Sequence, residues 1–393
     1  MLADVAPILR KLAYGHDLSV DDTRRALDVI GAEDLIALPS ASDGFYFLAL
    51  TFGLMAKGPT AEELRGFVLS ISDHSVRFET TVPRERLLDV SGTGGDLIKT
   101  FNVGTAAGIL AAAAGAFVAK QATRGYTGLT GSADVYRALG LDVSTLRQEV
   151  VVPCLEKVGV VPFYTPAFSS GFQGRIDFLT KLRLVGLTYP TPWHLVSWVF
   201  SPFRLGARLY GVYDRRYLRV IAELFRDLGY QRAMVVHGVD GLDEVSTVGD
   251  TLALELRDGM ITERVLTPEA CGVARATISD IQTLSVAEND ILSGRSDSSA
   301  DLRARLLEEG KDRNVATFLR VLYGLDKGPR RDLAVVNAGT ALYLAGVASD
   351  ISAGVSQAQS AIDTGLAREK LRALVVFCGD IDKLRAAEER YGV

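Results

Sequence analysis

Three places along the chain gather residues able to hold an anion. The first is GTGGD, Gly92 to Asp96, which directly follows the apolar run LLDVS and precedes a helix expected to start near Asn102. Glycines let backbone N–H groups converge on one point with no Cβ in the way. A helix start adds the positive end of its dipole. Gly92, Thr93, Gly94 and Gly95 therefore make either a tight structural turn or a phosphate cradle. Asp96 cannot itself hold phosphate; beside such a loop it suits a bridged metal or a sugar hydroxyl. Asn102 and Thr105 either cap the next helix or present an amide and a hydroxyl to the anion. The second place is Lys120, which ends the run AFVAK at the sheet end where α/β proteins place ligands. It is either a solvated lysine or a charge partner for phosphate. The third is the Gly/Thr-rich stretch from Thr123 to Ser132, carrying Arg124, Thr127 and Thr130. Two such loops with a lysine between them suit a ligand with two separate phosphate groups.

The elements that must position these residues change character along the chain. Residues 1 to about 70 read as short helices: VAPILRKLAYG has helical spacing, LSVDDTRRALDVI offers Ser19 as a cap, and TAEELRGFVLSIS opens with Thr60 and Glu63 as a capping box. From about Leu87 short apolar strands alternate with helices, the pattern of a mostly parallel sheet covered by helices. TLALELRDG and ERVLTPEACG read as an antiparallel extension, and the last third returns to helices such as LAVVNAGTALYLAG. The polar stretch SVAENDILSGRSDSSADLRARLLEEGKDRN reads as a surface loop with one helix. The expected fold class is α/β: a small N-terminal helical domain, and a larger α/β domain with a mostly parallel central sheet.

The bulk properties narrow the class of function. The chain has 393 residues, 48% of them hydrophobic, enough for a sizeable core and two domains. A net charge of −5 argues against a protein whose main work is coating nucleic acid. The cysteines Cys154, Cys271 and Cys378 form no CxxC pair, and the N-terminal stretch has charges among its apolar residues rather than a signal core. Both point to reduced thiols and a cytoplasmic setting. The apolar run from Val103 to Ala119 is Ala- and Gly-rich with polar loops at each end, which reads as a buried helix plus a strand rather than a membrane span.

Taken in order, GTGGD, TFN, the Ala-rich helix, VAK and GSADVYRALG resemble anthranilate phosphoribosyltransferases. The wider set comprises phosphoribosyltransferases and nucleoside phosphorylases with an N-terminal helical domain. VVHGVDGLDE, Val235 to Glu244, is similar to the family's HGxxGLDE segment, and GPRRDLAVVNAGTALYLAG to its GPxxDxxxLNAAxALY helix. The resemblance implies transfer of the 5-phosphoribosyl group of 5-phosphoribosyl-1-pyrophosphate (PRPP) to an aromatic amine, anthranilate, with release of pyrophosphate, as in tryptophan biosynthesis. By motif position it makes Gly92, Thr93, Gly94, Gly95, Asp96, Asn102, Thr105, Lys120, Thr127 and Thr130 the PRPP residues. Asp243 and Glu244 would hold Mg2+, which favours hard oxygen ligands; without the resemblance, an Asp-Glu pair reads as a solvated turn. No residue is assigned as a catalytic acid or base, since an aromatic amine can lose its proton late. The resemblance also implies a helical domain over 1–75 joined by a segment near 165–185, a phosphoribosyl-binding domain over 86–393, and a homodimer formed through the helical domain.

The acceptor side departs from the family pattern. Where the family reads KHGNR, this chain has Lys120-Gln121-Ala122-Thr123-Arg124, so Gln121 and Thr123 replace a histidine and an asparagine that help position anthranilate. NxST becomes Asn102-Val103-Gly104-Thr105. The family's GxRTxFN arginine for the acceptor carboxylate has no counterpart in Gly186 to His194, and a neutral side chain cannot make that bidentate pair. Arg183, near in sequence, is the candidate to compensate. Three alternatives therefore stand beside the main reading. One is a phosphoribosyltransferase with another acceptor. The second is a nucleoside phosphorylase, through a faint likeness of Thr123 to Gly128 to a GRGLGHTGG loop. The third is a non-enzymatic nucleic-acid-binding relative, through His194 to Phe203. The last branch is basic and lacks GTGGD; this chain is acidic and keeps it.

Overall fold

The computed structural model describes residues 2–29, 42–95, 98–123, 130–169, 172, 191–292 and 296–393. Strands β1 (Leu87–Gly92), β2 (Phe117–Gln121), β3 (Val160–Phe163), β4 (Ala207–Gly211), β5 (Arg232–Gly238), β6 (Thr251–Arg257) and β7 (Met260–Leu266) form one sheet in the order β3-β2-β1-β4-β5-β6-β7. The first five run parallel, and β6 and β7 add antiparallel at one edge. The expected antiparallel extension is thus present. Its hairpin turns at Asp258-Gly259, both at positive φ, the Asp-Gly pairing a tight two-residue hairpin favours.

The five parallel strands are buried on both faces. Leu88, Val90, Leu209, Met234 and Val236 face one core, with the helices Val103–Ala113, Pro329–Leu344, Ile351–Asp363 and Leu366–Cys378. Tyr210, Val212, Ala233 and Val235 alternate with them and face a second core, as the two-residue strand period requires. That second core holds the N-terminal helices Leu2–Ala13, Val20–Val29, Ser42–Lys57 and Ala61–Asp73, together with Leu218–Asp227. The capping box at Thr60 and Glu63 forms as expected, and the Ser19 hydroxyl accepts from the Asp22 N–H at 3.1 Å.

One expectation is revised. The polar stretch from Ser285 to Asn314 holds a short helix, Val286–Leu292, and the opening of a 23-residue helix, Ala300–Leu322; the latter is anchored by buried Leu306, Gly310 and Asn314, apolar or small positions too sparse to stand out among so many charges. Near 165–185, Thr165–Ala167 is a single 3-10 turn and Phe172 packs on Trp193 at 5.2 Å between ring centroids; residues 173–190 lie outside the described residues. Among the described residues no helix is long and apolar enough to cross a membrane.

Candidate active site at the sheet switch point

The chain leaves β1 toward β2 and β3, then returns to the other side of β1 as β4. Between β1 and β4 the connections part in opposite directions, and open α/β sheets place ligands in that crevice, beyond the carboxyl ends of the strands. The GTGG loop follows β1 at this point. Thr93 ties it down: its N–H donates to the Gly211 carbonyl (2.9 Å), its Oγ1 accepts from the Tyr213 N–H (2.9 Å), and its carbonyl accepts from Trp198 Nε1 (3.0 Å). Gly94 and Gly95 take positive φ of 63° and 105°, which explains the glycine pair after Thr93.

Asp243 comes from 150 residues away and lies directly on this loop. Its Oδ2 accepts from the Gly94 N–H at 2.6 Å and meets Thr93 Oγ1 at 3.5 Å. The segment bearing it passes so close to β1 and β4 that a Cβ on Gly92 would stand 2.6 Å from Asp243 Oδ2, and one on Gly211 only 1.4 Å from the Asp243 carbonyl oxygen. Both glycines are thus required by close backbone approach. Burial raises the pKa of Asp243, opposed by the Gly94 N–H and the charge of Lys99. Asn337, buried on the Pro329–Leu344 helix, holds the next stretch: its Oδ1 accepts from the Val245 N–H (3.0 Å) and its Nδ2 donates to the Val245 carbonyl (2.9 Å).

Lys120 reaches back under the loop. Its Nζ donates to the Val90 carbonyl at 2.6 Å, and burial lowers its pKa while Asp89 and Glu244 pull it upward. The Val103–Ala113 helix packs alongside it. A Cβ on Gly104 would lie 3.8 Å from Lys120 Nζ, and one on Gly108 3.6 Å from its Cδ. Below, a fully buried ion pair joins Arg208 to Asp89 at 3.0 Å, and Arg208 Nη1 donates to the Trp198 carbonyl at 2.7 Å.

Of the expected PRPP residues, the structure gathers Gly92, Thr93, Gly94, Gly95, Asn102, Thr105, Lys120 and Thr130 around the carboxyl ends of β1 and β2. Thr105 is buried in the first helical turn. Asn102 sits at the helix start yet its side chain does not cap it; Thr130 Oγ1 donates to Asn102 Oδ1 at 3.2 Å instead. Asp243 joins them directly, and Glu244 follows it, half-buried. Asp96, Thr127, Arg124 and Arg183 lie outside the described residues.

The expected acceptor residues lie beside this group. Gln121 is buried at the end of β2, with Nε2 donating to the Ser197 carbonyl at 2.9 Å. The Thr123 N–H donates to Ser132 Oγ at 3.3 Å. His194 Nδ1 accepts from the Thr191 N–H at 3.0 Å, and burial pushes the ring down to about 4, so it is neutral at pH 7. Trp193 packs in the core, as its apolar surroundings suggest. Sequence reasoning missed Trp198, Arg208, Tyr213, Asn314 and Asn337. A charged residue inside the strand ARLYG and an asparagine inside LAVVNAGTALYL are the signals available for two of them: each must find a partner once buried.

Comparison with known proteins gives the family of the chain. The family model described as "Glycosyl transferase family, a/b domain" matches residues 84–368. Anthranilate phosphoribosyltransferase from Methanococcoides burtonii is 35% identical over 373 residues, covering 94% of this chain and 93% of that protein. The enzyme of the same name from Acidithiobacillus ferrooxidans is 34% identical, covering 94% and 98%. Among solved structures, anthranilate phosphoribosyltransferase from Thermus thermophilus superposes with a TM-score of 0.76 at 25% identity, covering 94% of this chain and 98% of that one. The Saccharomyces cerevisiae enzyme in complex with PRPP and Mg has the same fold, with a TM-score of 0.76 at 23% identity over 98% of each chain. With relatives of this similarity along almost its whole length, the chain belongs to the anthranilate phosphoribosyltransferase family.

Proposed function

We propose that this protein transfers the 5-phosphoribosyl group of PRPP to anthranilate, releasing pyrophosphate, as a pentosyltransferase of tryptophan biosynthesis. The observation that carries it is the GTGG loop fixed at the β1/β4 switch point beneath Asp243, in a chain that belongs to this family. The start of the Val103–Ala113 helix offers its positive end to phosphate. Lys120 adds a charge held at a fixed depth by the Val90 carbonyl. Fixing both substrates in one crevice removes the entropy of bringing the amine to C1.

The donor set fits Mg2+. Asp243 and Glu244 supply hard carboxylate oxygens, and burial of Asp243 disfavours its lone charge, which a divalent cation would offset. When bound, Mg2+ supplies charge neutralisation to the departing pyrophosphate. Asp243→Asn with Glu244→Gln is expected to abolish the Mg2+ dependence of turnover; a fully active, Mg2+-dependent double variant refutes the metal assignment. The reading as a whole is tested by anthranilate fluorescence. Protein, PRPP and Mg2+ together are expected to consume anthranilate, and omission of any one to stop it. A complete mixture that consumes none overturns the reading. A second reading, the same chemistry on another aromatic amine, is favoured by the neutral Gln121 and His194. We also propose residues 1–75 and 86–393 as the two domains, a homodimer formed through the first, and a cytoplasmic setting.

A further inference from the structure

Asn102 has an amide whose two ends would act oppositely on an anion. Its Nδ2 donates and attracts phosphate, whereas its Oδ1 accepts and repels it. Which end meets the ligand is settled by what holds the other. In this structure the oxygen end is occupied twice: Asn314 Nδ2 donates to Asn102 Oδ1 at 2.6 Å, and Thr130 Oγ1 donates to the same atom at 3.2 Å. Asn314 Nδ2 also bonds Thr130 Oγ1. At its other end, Asn314 Oδ1 accepts from the Asn102 backbone N–H at 3.0 Å. Asn314 comes from 212 residues along the chain, is 3% exposed, and sits on the Ala300–Leu322 helix. It therefore joins the end of the first loop to the end of the second with both halves of one amide. Rotating the Asn102 amide by half a turn would bring two NH2 groups face to face.

We propose that Asn314 is a positioning residue for PRPP: by occupying Asn102 Oδ1 and Thr130 it leaves Asn102 Nδ2 to meet the phosphate-bearing ligand and ties the two loops together. This rests on the PRPP reading above. It makes a prediction that a merely structural role reverses. Asn314→Asp is isosteric and keeps the acceptor for the Asn102 N–H, so a packing role makes it the milder change. For orientation it is the harsher one, because a carboxylate draws the Asn102 NH2 toward itself and turns the oxygen to the ligand.

The test is calorimetric titration of PRPP with Mg2+ into the full-length wild type, Asn314→Ala, Asn314→Asp, and the control Lys311→Ala, an exposed substitution on the same helix. A hydrogen bond to a charged group sets the scale: affinity is expected to fall about tenfold for Asn314→Ala and about a hundredfold for Asn314→Asp, and not for the control. In an Asn102→Ala background, which has no amide to misorient, Asn314→Asp is expected to change affinity by no more than about threefold. Asn314→Asp binding as well as or better than Asn314→Ala overturns the inference, as does an equal loss in both backgrounds. If the alanine variant does not fold, the aspartate variant in the two backgrounds still decides. Wild type that fails to bind PRPP overturns the transferase reading and this inference together; wild type that binds, with Asn314→Asp unaffected, overturns this inference alone.

Discussion

The halves of the crevice proposed to face the phosphates and the acceptor are built differently. On the phosphate side the decisive bonds span great lengths of chain: Gly94 to Asp243 over 149 residues, Trp198 to Thr93 over 105, and Asn102 to Asn314 over 212. On the acceptor side they are shorter and neutral: Thr191 to His194 over 3 residues, Thr123 to Ser132 over 9, Gln121 to Ser197 over 76. A loop braced from four parts of the chain cannot shift without disturbing the whole fold. A pocket lined by neutral side chains, two of them bonded within nine residues of chain, can be altered by a few substitutions. That contrast accounts for a chain that keeps GTGG and the Asp-Glu pair while departing from the family pattern at Gln121, Thr123 and the acceptor-carboxylate arginine.

The harshest way to break the contrast is Arg208→Met, which leaves Asp89 buried without its ion-pair partner. It is expected to cost about 3–5 kcal/mol of stability, measured by urea unfolding; a loss below ~1 kcal/mol would show that the brace beneath the loop is dispensable. Next is Gly211→Ala, whose Cβ would stand 1.4 Å from the Asp243 carbonyl oxygen. Overpacking of this kind costs on the order of 1–3 kcal/mol, and PRPP affinity is expected to fall with it because Asp243 must move. Retained affinity would mean that the Asp243 segment is not fixed by that approach. Gln121→His sharpens the contrast from the other side: it is expected to change KM for anthranilate while PRPP affinity stays within about threefold.

The smallest effect concerns pH. His194 titrates near 6.5 when unfolded and near 4 when folded. Between these values the unfolded state holds more protons, so this group's stabilising contribution is complete above about pH 6.5 and declines as pH falls toward 4. The drop in Tm from pH 7 to pH 5 is expected to be smaller in His194→Gln than in wild type; equal drops would remove His194 as the cause.

How much of this could be read from the sequence depended on the range of the interaction. The Thr60/Glu63 capping box, the Asp258-Gly259 hairpin flanks and the glycine loop were legible, because each is a rule about neighbours in the chain. The packing of the Ala-rich helix was half legible: small residues signalled close packing, but not that Gly104 and Gly108 lie against Lys120. Asn314 was not legible. It sits in a charged helix, and its partners Asn102 and Thr130 lie 212 and 184 residues away along the chain. Arg208 and Asn337 were visible as polar residues in apolar runs, which says that each needs a partner but not which one.

The braced half of the crevice is proposed to be a PRPP–Mg2+ site. Its most direct test is calorimetric titration of PRPP into the wild type and into the Asp243→Asn/Glu244→Gln variant, each with and without Mg2+ and with no acceptor present. The wild type is expected to bind PRPP more tightly with Mg2+ than without it, and the variant to lose that strengthening. Wild type that does not bind PRPP, or a variant whose binding responds to Mg2+ as the wild type does, would contradict it.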